Sequence, residues 1–441
     1  MPQPVWSGRF VDSKAKAIIR ETAFRLRDPQ RVDEAIRRLD HYPSLHPSQR
    51  HWSATGLAQG HAGLAMLSAT LDACFPEEAW DLVGHAHLRL ATDSLATQPL
   101  HLLGLSNGLS GAAFATWLLS RQGTRYQRLL ASLDEQIVAR THNLTAQMLK
   151  QRHGFAAAQY DAISGLTGIG AYLLCRRTST PLSHALSVVL QTLIALSEEE
   201  AGVPHWYIPP ELIAQERWRH QYPNGLLDCG LAHGAAGLLA LLTLAKREAI
   251  EVDGLEAAID RLATWLAEHR VNDEWGVNWP AAYPVGPLES TTLPLLPARS
   301  AWCYGNPGIA RALWLAGEAL DCSTYRELAL AAMSAVYRKP HAERQIDAPS
   351  FCHGIAGLLA ITLRFAQETG LPVFHEAAQT LTNDIIAQYD PDALLGFCDL
   401  EPGNIRVDQP GVLNGAAGVV LVLLAASTDQ APTWDRAFLL S

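Results

Sequence analysis

Charge is scarce in this chain of 441 residues: 18% are Asp, Glu, Lys or Arg, and 34 basic residues face 44 acidic ones. The net charge of −10 excludes a dedicated nucleic-acid binder, which needs a basic face for phosphates. Long apolar runs are missing too. The longest, near Ala235–Ala245 and Ala416–Ala426, fall far short of the roughly 20 residues of a membrane span. The N-terminus, MPQPVWSGRF, lacks the basic start and apolar core of a secretory signal. No Cys-x-x-Cys pair occurs, so a structural zinc finger is not indicated. The seven cysteines are odd in number and scattered, which argues against a disulfide framework and for a reducing cytoplasm. A hydrophobic share of 48% excludes disorder. These absences leave a soluble, intracellular globular protein, with two or three domains or one large repeated architecture.

The repeats decide between those. A Gly-x-x-Gly followed by an apolar run occurs seven times, at Gly60–Gly63, Gly108–Gly111, Gly165–Gly168, Gly234–Gly237, Gly305–Gly308, Gly354–Gly357 and Gly415–Gly418. The first glycines are spaced by 48, 57, 69, 71, 49 and 61 residues. Each copy reads as a tight turn entering a helix, and helices apolar on nearly every side, such as Gly237–Ala245, are buried. Amphipathic segments lie between the copies. In Leu255–Leu266, Leu255, Ile259, Leu262 and Leu266 recur at helical steps, with Glu256, Asp260 and Arg261 on other faces. Tyr325–Val336 and Phe374–Ile386 read similarly. Seven helical hairpins stack as an open solenoid or close into a ring, and periodicity alone does not choose. Gly202–Asp228 and Val271–Ser300, rich in Pro, Trp and Tyr, read as long loops or small insertions, and Asp390–Gly411 as a shorter one.

The repeat register also brings out chemistry. Cys303 stands two residues before Gly305, Cys352 two before Gly354, and His353 one before it. Equivalent positions in adjacent repeats are neighbours, so these three converge on one rim. Two thiolates and an imidazole make a three-ligand zinc set with an open fourth position, as in catalytic sites. Buried filler is the usual fate of a single cysteine, and it stands for Cys74, Cys175, Cys229, Cys322 and Cys398, which lack the register. His233, one before Gly234, faces the same rim as an acid, a base or a fourth ligand, against a plain helix-entry hydrogen bond. Asp161, four before Gly165, is a turn or helix-cap carboxylate, or else it orients an imidazole or holds a cation. Arg299, four before Cys303, binds a carboxylate or carbonyl or forms a surface ion pair, the commoner fate of a single arginine. Trp302 and Tyr304 flank the thiol, with aromatic packing as their ordinary role.

The segments SAWCYGNPG, SFCHGIAG, LAHGAAG and YDAISGLTGIG resemble the motifs of the lanthionine synthetase C-like family, in particular its stand-alone (class I) lanthipeptide cyclases. The resemblance covers essentially the whole chain, with all seven turns in order. It implies an all-α fold, an α/α toroid of seven inner and seven outer helices, as a single domain over 1–441 with insertions near 202–228 and 271–300. It further implies zinc on Cys303, Cys352 and His353. His233 and Asp161 become proton-transfer and orienting groups, with Arg299 and Tyr304 as further participants. One departure is LAQGHAG in the first repeat, where relatives often carry His-Gly; Gln59 is not a catalytic position. Whether 202–228 forms the accessory domain of some relatives stays open.

The reaction implied is addition of a substrate cysteine to dehydroalanine or dehydrobutyrine, closing a thioether ring. A free thiol with a pKa of about 8.5 is only partly ionised at neutral pH, and zinc would deprotonate it. The implied partners are a dehydrated precursor peptide with its leader segment, a dehydratase and an exporter complex, in the cytoplasm or peripheral to a membrane assembly. Prenyltransferase β-subunits are also zinc toroids, but with Asp, Cys and His as ligands, and a terpene-cyclase Asp-x-Asp-Asp is absent. A glutathione-adding relative and a non-catalytic peptide-binding repeat protein are the remaining alternatives.

Overall fold

Every one of the seven turns opens a helix, and its first glycine is the N-cap. The computed structural model describes residues 6–39, 41–42, 52–97, 102–288, 291–292, 294–401 and 403–441. The helices are His61–Cys74, Leu109–Leu119, Leu166–Cys175, Ala235–Arg247, Asn306–Ala319, Ile355–Thr369 and Ala416–Ser427. Their apolar composition has its cause in burial on all sides: from Ala416 to Ala426 every residue is buried. Some of the hydroxyls they carry bond back to their own helix, as Thr116 Oγ1 does to Ala112 O at 2.7 Å and Thr362 Oγ1 to Leu358 O at 2.8 Å. Shortening one buried leucine, Leu239 for example, to alanine costs about 2–5 kcal/mol.

The glycines are there for close approach. A Cβ on Gly234 would lie 2.1 Å from the carbonyl oxygen of Asp228, and one on Gly415 2.1 Å from that of Gln409. Gly305 adds a positive φ of 90°, which a residue with a side chain rarely adopts.

The chain forms two units. The first, Met1–Leu102, Ser106–Ala131 and His341–Trp434, holds four of the turns. Its inner helices pack as a series: Ile355–Thr369 on Ala416–Ser427, that on His61–Cys74, and that on Leu109–Leu119. A backbone ladder joins the turns two residues before each glycine. Cys352 N–H donates to Leu413 O at 2.8 Å, Leu413 N–H to Ala58 O at 3.1 Å, and Ala58 N–H to Ser106 O at 2.9 Å. Outer helices Trp80–Thr97 and Pro372–Ala387 cover the inner helices that precede them. The N-terminal helix Ser13–Arg27 covers Ala416–Ser427, with Trp6 Nε1 on Ala425 O at 3.0 Å. Within 390–411, Asp399–Glu401 pairs antiparallel with Ile405–Val407.

The second unit, Leu103–Leu105, Ser132–Pro340 and Asp435–Ser441, repeats the scheme with three turns. Ala162, here three residues before its glycine, donates its N–H to Ala232 O at 3.0 Å, and Ala232 N–H donates to Cys303 O at 3.4 Å. Outer helices Thr180–Ser197, Leu255–Glu268 and Ser323–Arg338 cover the inner ones. Thr180–Ser197 is long and apolar enough to cross a membrane by length and composition, and more than half of it is buried inside the protein. Leu255, Ile259, Leu262 and Leu266 are the buried stripe of their helix.

The two stretches expected as loops are tied to one another. Leu226–Asp228 pairs antiparallel with Ala282–Pro284, Asp228 opposite Ala282, and Thr292 N–H donates to Gln221 O at 3.3 Å. Residues 289, 290 and 293 of the second stretch lie outside the described residues.

Candidate active site

In the second unit the turns present a connected set of polar groups. Asp161 closes the short helix Ala157–Tyr160 and is 3% exposed. Its Oδ1 accepts the N–H groups of Ile163, Ser164 and Gly165 at 3.1, 2.7 and 2.9 Å. That grip leaves Oδ2 for the next repeat, where His233 Nδ1 donates to it at 2.6 Å. The His233 side chain remains 36% exposed. Burial works against the imidazolium, yet the hydrogen bond and charge of Asp161, with Asp228 and Cys303 adding, lift its pKa to about 9. The His233 imidazole is therefore protonated at neutral pH.

A second carboxylate lies one repeat further on. Asp228 is 2% exposed; its Oδ1 accepts from Gly230 N–H at 2.8 Å and its Oδ2 from the Tyr304 hydroxyl at 2.9 Å. Burial pushes the pKa of Asp228 up to about 6, against the opposing pull of His233, Gly230 and Tyr304. Burial and Asp228 push the Tyr304 phenol well above its ordinary value, so it stays protonated. The Tyr304 and His233 rings lie 6.1 Å apart, and Trp218 meets Tyr304 edge-on, also at 6.1 Å. Gly230 is needed here, because a Cβ would fall 2.5 Å from Cys303 O and 2.8 Å from the Tyr304 ring.

Cys303 is buried in the same turn, 7% exposed, and its carbonyl takes the ladder bond from Ala232. Trp302 is structural: its Nε1 donates to Phe438 O at 3.0 Å and its ring meets Phe438 edge-on. The Arg299 side chain is exposed and makes no hydrogen bond or ion pair among the described residues; its carbonyl is what crowds Gly305. The sequence expectation thus finds His233, Asp161, Tyr304 and Cys303 in one unit, with Arg299 turned to solvent.

Cys352 and His353 belong to the first unit, half-buried at the turn before Ile355–Thr369. Cys352 holds the same place in its ladder as Cys303 in the other, two residues before the glycine. Among the described residues no three His, Cys, Asp or Glu side chains form a metal-holding group. The donor chemistry of Cys303, Cys352 and His353, two thiols and an imidazole at equivalent turn positions, fits zinc.

None of the seven cysteines is in a disulfide. Burial raises the Cys175 thiol to about 12, Cys398 to about 11, and Cys74 and Cys229 above the ordinary value, which keeps them inert. Three residues near the site escaped the sequence reading: Asp228, Trp218 and Tyr160. A signal for Asp228 was present, since LLDCGLAHG places an acid shortly ahead of its glycine much as YDAISG does. Tyr160 and Trp218 carried none. Tyr160 is wholly buried, and its hydroxyl has no hydrogen-bond partner among the described residues.

Comparison with known proteins gives this geometry its context. A family model described as lanthionine synthetase C-like protein matches residues 51–439. The nisin biosynthesis protein NisC of Lactococcus lactis subsp. lactis is 25% identical over 373 residues, 83% of this chain and 84% of its own. A solved structure of nisin cyclase superposes with a TM-score of 0.76 at 22% identity, over 93% of this chain and 97% of the other. The fold class is accordingly all-α, the α/α toroid expected from the motifs. The chain belongs to the lanthionine synthetase C-like family.

Proposed function

We propose that the protein is a zinc-dependent lanthipeptide cyclase, which adds cysteine thiolates of a dehydrated precursor peptide to its dehydroalanine or dehydrobutyrine residues. The observation that carries this is the 2.6 Å contact between His233 and Asp161, which keeps a protonated imidazole beside Tyr304 and Cys303. Similarity to NisC and to nisin cyclase supports the same reading.

Cys303, Cys352 and His353 would hold the zinc, whose contribution when bound is to keep a substrate thiol ionised at neutral pH. The chain's own residues do the rest. Attack of sulfur on the β-carbon breaks the double bond and leaves an enolate on the substrate. His233 delivers its proton to the α-carbon, and Asp161 stabilises and orients the imidazole through the transfer. The balance closes within the peptide: a carbon–sulfur bond and a carbon–hydrogen bond form, the π bond is consumed, and the proton leaving the thiol replaces the one His233 gave. We read residues 1–441 as one functional domain, as the family resemblance implies. Free thiols throughout suit a cytoplasmic enzyme, working after a dehydratase and before an exporter.

The test is incubation of the metal-loaded protein with a dehydrated, cysteine-containing precursor. Ring closure adds no mass, so alkylatable thiols are counted; one should vanish per ring, and chelation should stop the loss. A constant thiol count would sink the cyclase reading. A mass gain of one glutathione, when that thiol is supplied, would mark the glutathione-adding relative instead. Metal analysis of Cys303→Ala, Cys352→Ala and His353→Ala should each show zinc below stoichiometry, independently of turnover.

A further inference from the structure

Asp161 and Asp228 hold matching posts in successive repeats. Both are buried carboxylates just ahead of a glycine turn, 3% and 2% exposed. Each spends Oδ1 on backbone N–H groups of its own turn, Asp161 on three and Asp228 on that of Gly230. Each then sends Oδ2 to the residue immediately before the glycine of the following repeat. Those contacts are 2.6 Å to His233 and 2.9 Å to Tyr304. The reaction proposed above uses the first pair and leaves the second without a task.

We propose that Asp228 is a positioning residue for thioether formation, fixing the Tyr304 phenol beside His233 with its hydrogen committed to the carboxylate. Turned that way, the phenol oxygen shows only lone pairs to the site and accepts the backbone N–H of the dehydroamino acid. The imidazolium donates and the phenol accepts, so a planar dehydro residue seated between them has its α-carbon directed at His233. This inference rests on the cyclase reading.

The surroundings leave Asp228 little freedom. Its strand, Leu226–Asp228, is paired with Ala282–Pro284, so the backbone that carries the carboxylate is held by the second insertion. Gly230 lets the Tyr304 ring lie against the turn, and Trp218 closes its other edge. Neither contact would fix the direction of the hydroxyl hydrogen, which only a partner on the oxygen can do.

Asp228→Asn tests that direction with almost no change of shape. With the amide oxygen kept on the Gly230 N–H, its NH2 faces Tyr304, and the phenol must accept from it and turn its own hydrogen into the site. The measurement is kcat and KM on a dehydrated precursor for wild type, Asp228→Asn, Tyr304→Phe and the double variant, with Tm and bound zinc followed in each. Each single change should lower kcat by about 100-fold, the double variant should be no slower than Tyr304→Phe, and Tm and zinc should stay at wild-type values. Losses that multiply in the double variant, or an Asp228→Asn enzyme as fast as wild type, would overturn the proposal. Should Asp228→Asn not fold, Tyr304→Phe removes only a hydroxyl, and a wild-type kcat there overturns it as well. A wild-type protein that closes no ring fails the cyclase reading itself, whereas ring closure with independent losses fails only the role given to Asp228.

Discussion

At the turn before Ala235–Arg247 the residue preceding the glycine is His233, held by a buried carboxylate of the previous repeat at 2.6 Å. At the turn before Ala416–Ser427 that position is Asn414, whose amide reaches Asp399 at 3.3 Å. The backbones of these turns are alike: a Cβ on either glycine would lie 2.1 Å from a carbonyl oxygen six residues earlier, and both turns carry the ladder bond. The side chains are not alike. The frame costs the chain its glycines and buried helices in every repeat, while the residue just before the glycine is free to vary. At His233 a neighbouring repeat delivers a charged partner, Asp161, to that residue.

The strongest way to break the comparison is at those two side chains. His233→Ala should slow ring closure by about 10²–10⁴-fold, the range for losing a positioned acid, with zinc still bound. Asn414→Ala should leave the rate near that of wild type. Single-turnover thiol counting on the two variants checks both, and an equal loss would mean that the turns are not specialised. A smaller effect probes what the turns share. Gly234→Ala and Gly415→Ala each force a methyl onto a carbonyl oxygen and should destabilise by about 1–3 kcal/mol, read from urea unfolding. Similar losses in both would place the glycines in the frame, with no part in the chemistry.

The mildest difference is one of pH. The pKa of His233 is raised from 6.5 to about 9 in the folded protein, so its stabilising contribution is complete below 6.5 and lost as pH rises through 9. The Tm of wild type should decline across that window more than the Tm of His233→Ala. Parallel curves would show that Asp161 does not hold the imidazole charged.

Much of this was legible along the chain because it is local. The spacing of Leu255, Ile259, Leu262 and Leu266 foretold which face of the helix Leu255–Glu268 is buried. The repeated glycines foretold all seven helix starts, since a turn that must pass within van der Waals range of its own carbonyl leaves no room for a side chain. Register brought Cys303, Cys352, His353 and His233 forward for the same reason: one turn geometry, repeated, puts equivalent residues at equivalent places. The N-terminal helix was not legible. Ser13–Arg27 completes the repeat of Ala416–Ser427 from the far end of the chain, and nothing in its own residues says which helix it covers. The insertions were read as loops because strands of three residues leave no periodic trace, and Leu226–Asp228 becomes a strand only on meeting Ala282–Pro284.

The sequence by itself determined the repeat, the buried helices and the residue types offered at each turn, because these follow from steric room and hydrophobic period within a few residues. Only the tertiary structure decided which of those residues act on one another. Asp161 lies 72 residues from His233, and Asp228 lies 76 from Tyr304. No local preference specifies either pair; the stacking of one repeat on the next does, by bringing each carboxylate within hydrogen-bonding distance of a side chain it could not otherwise reach.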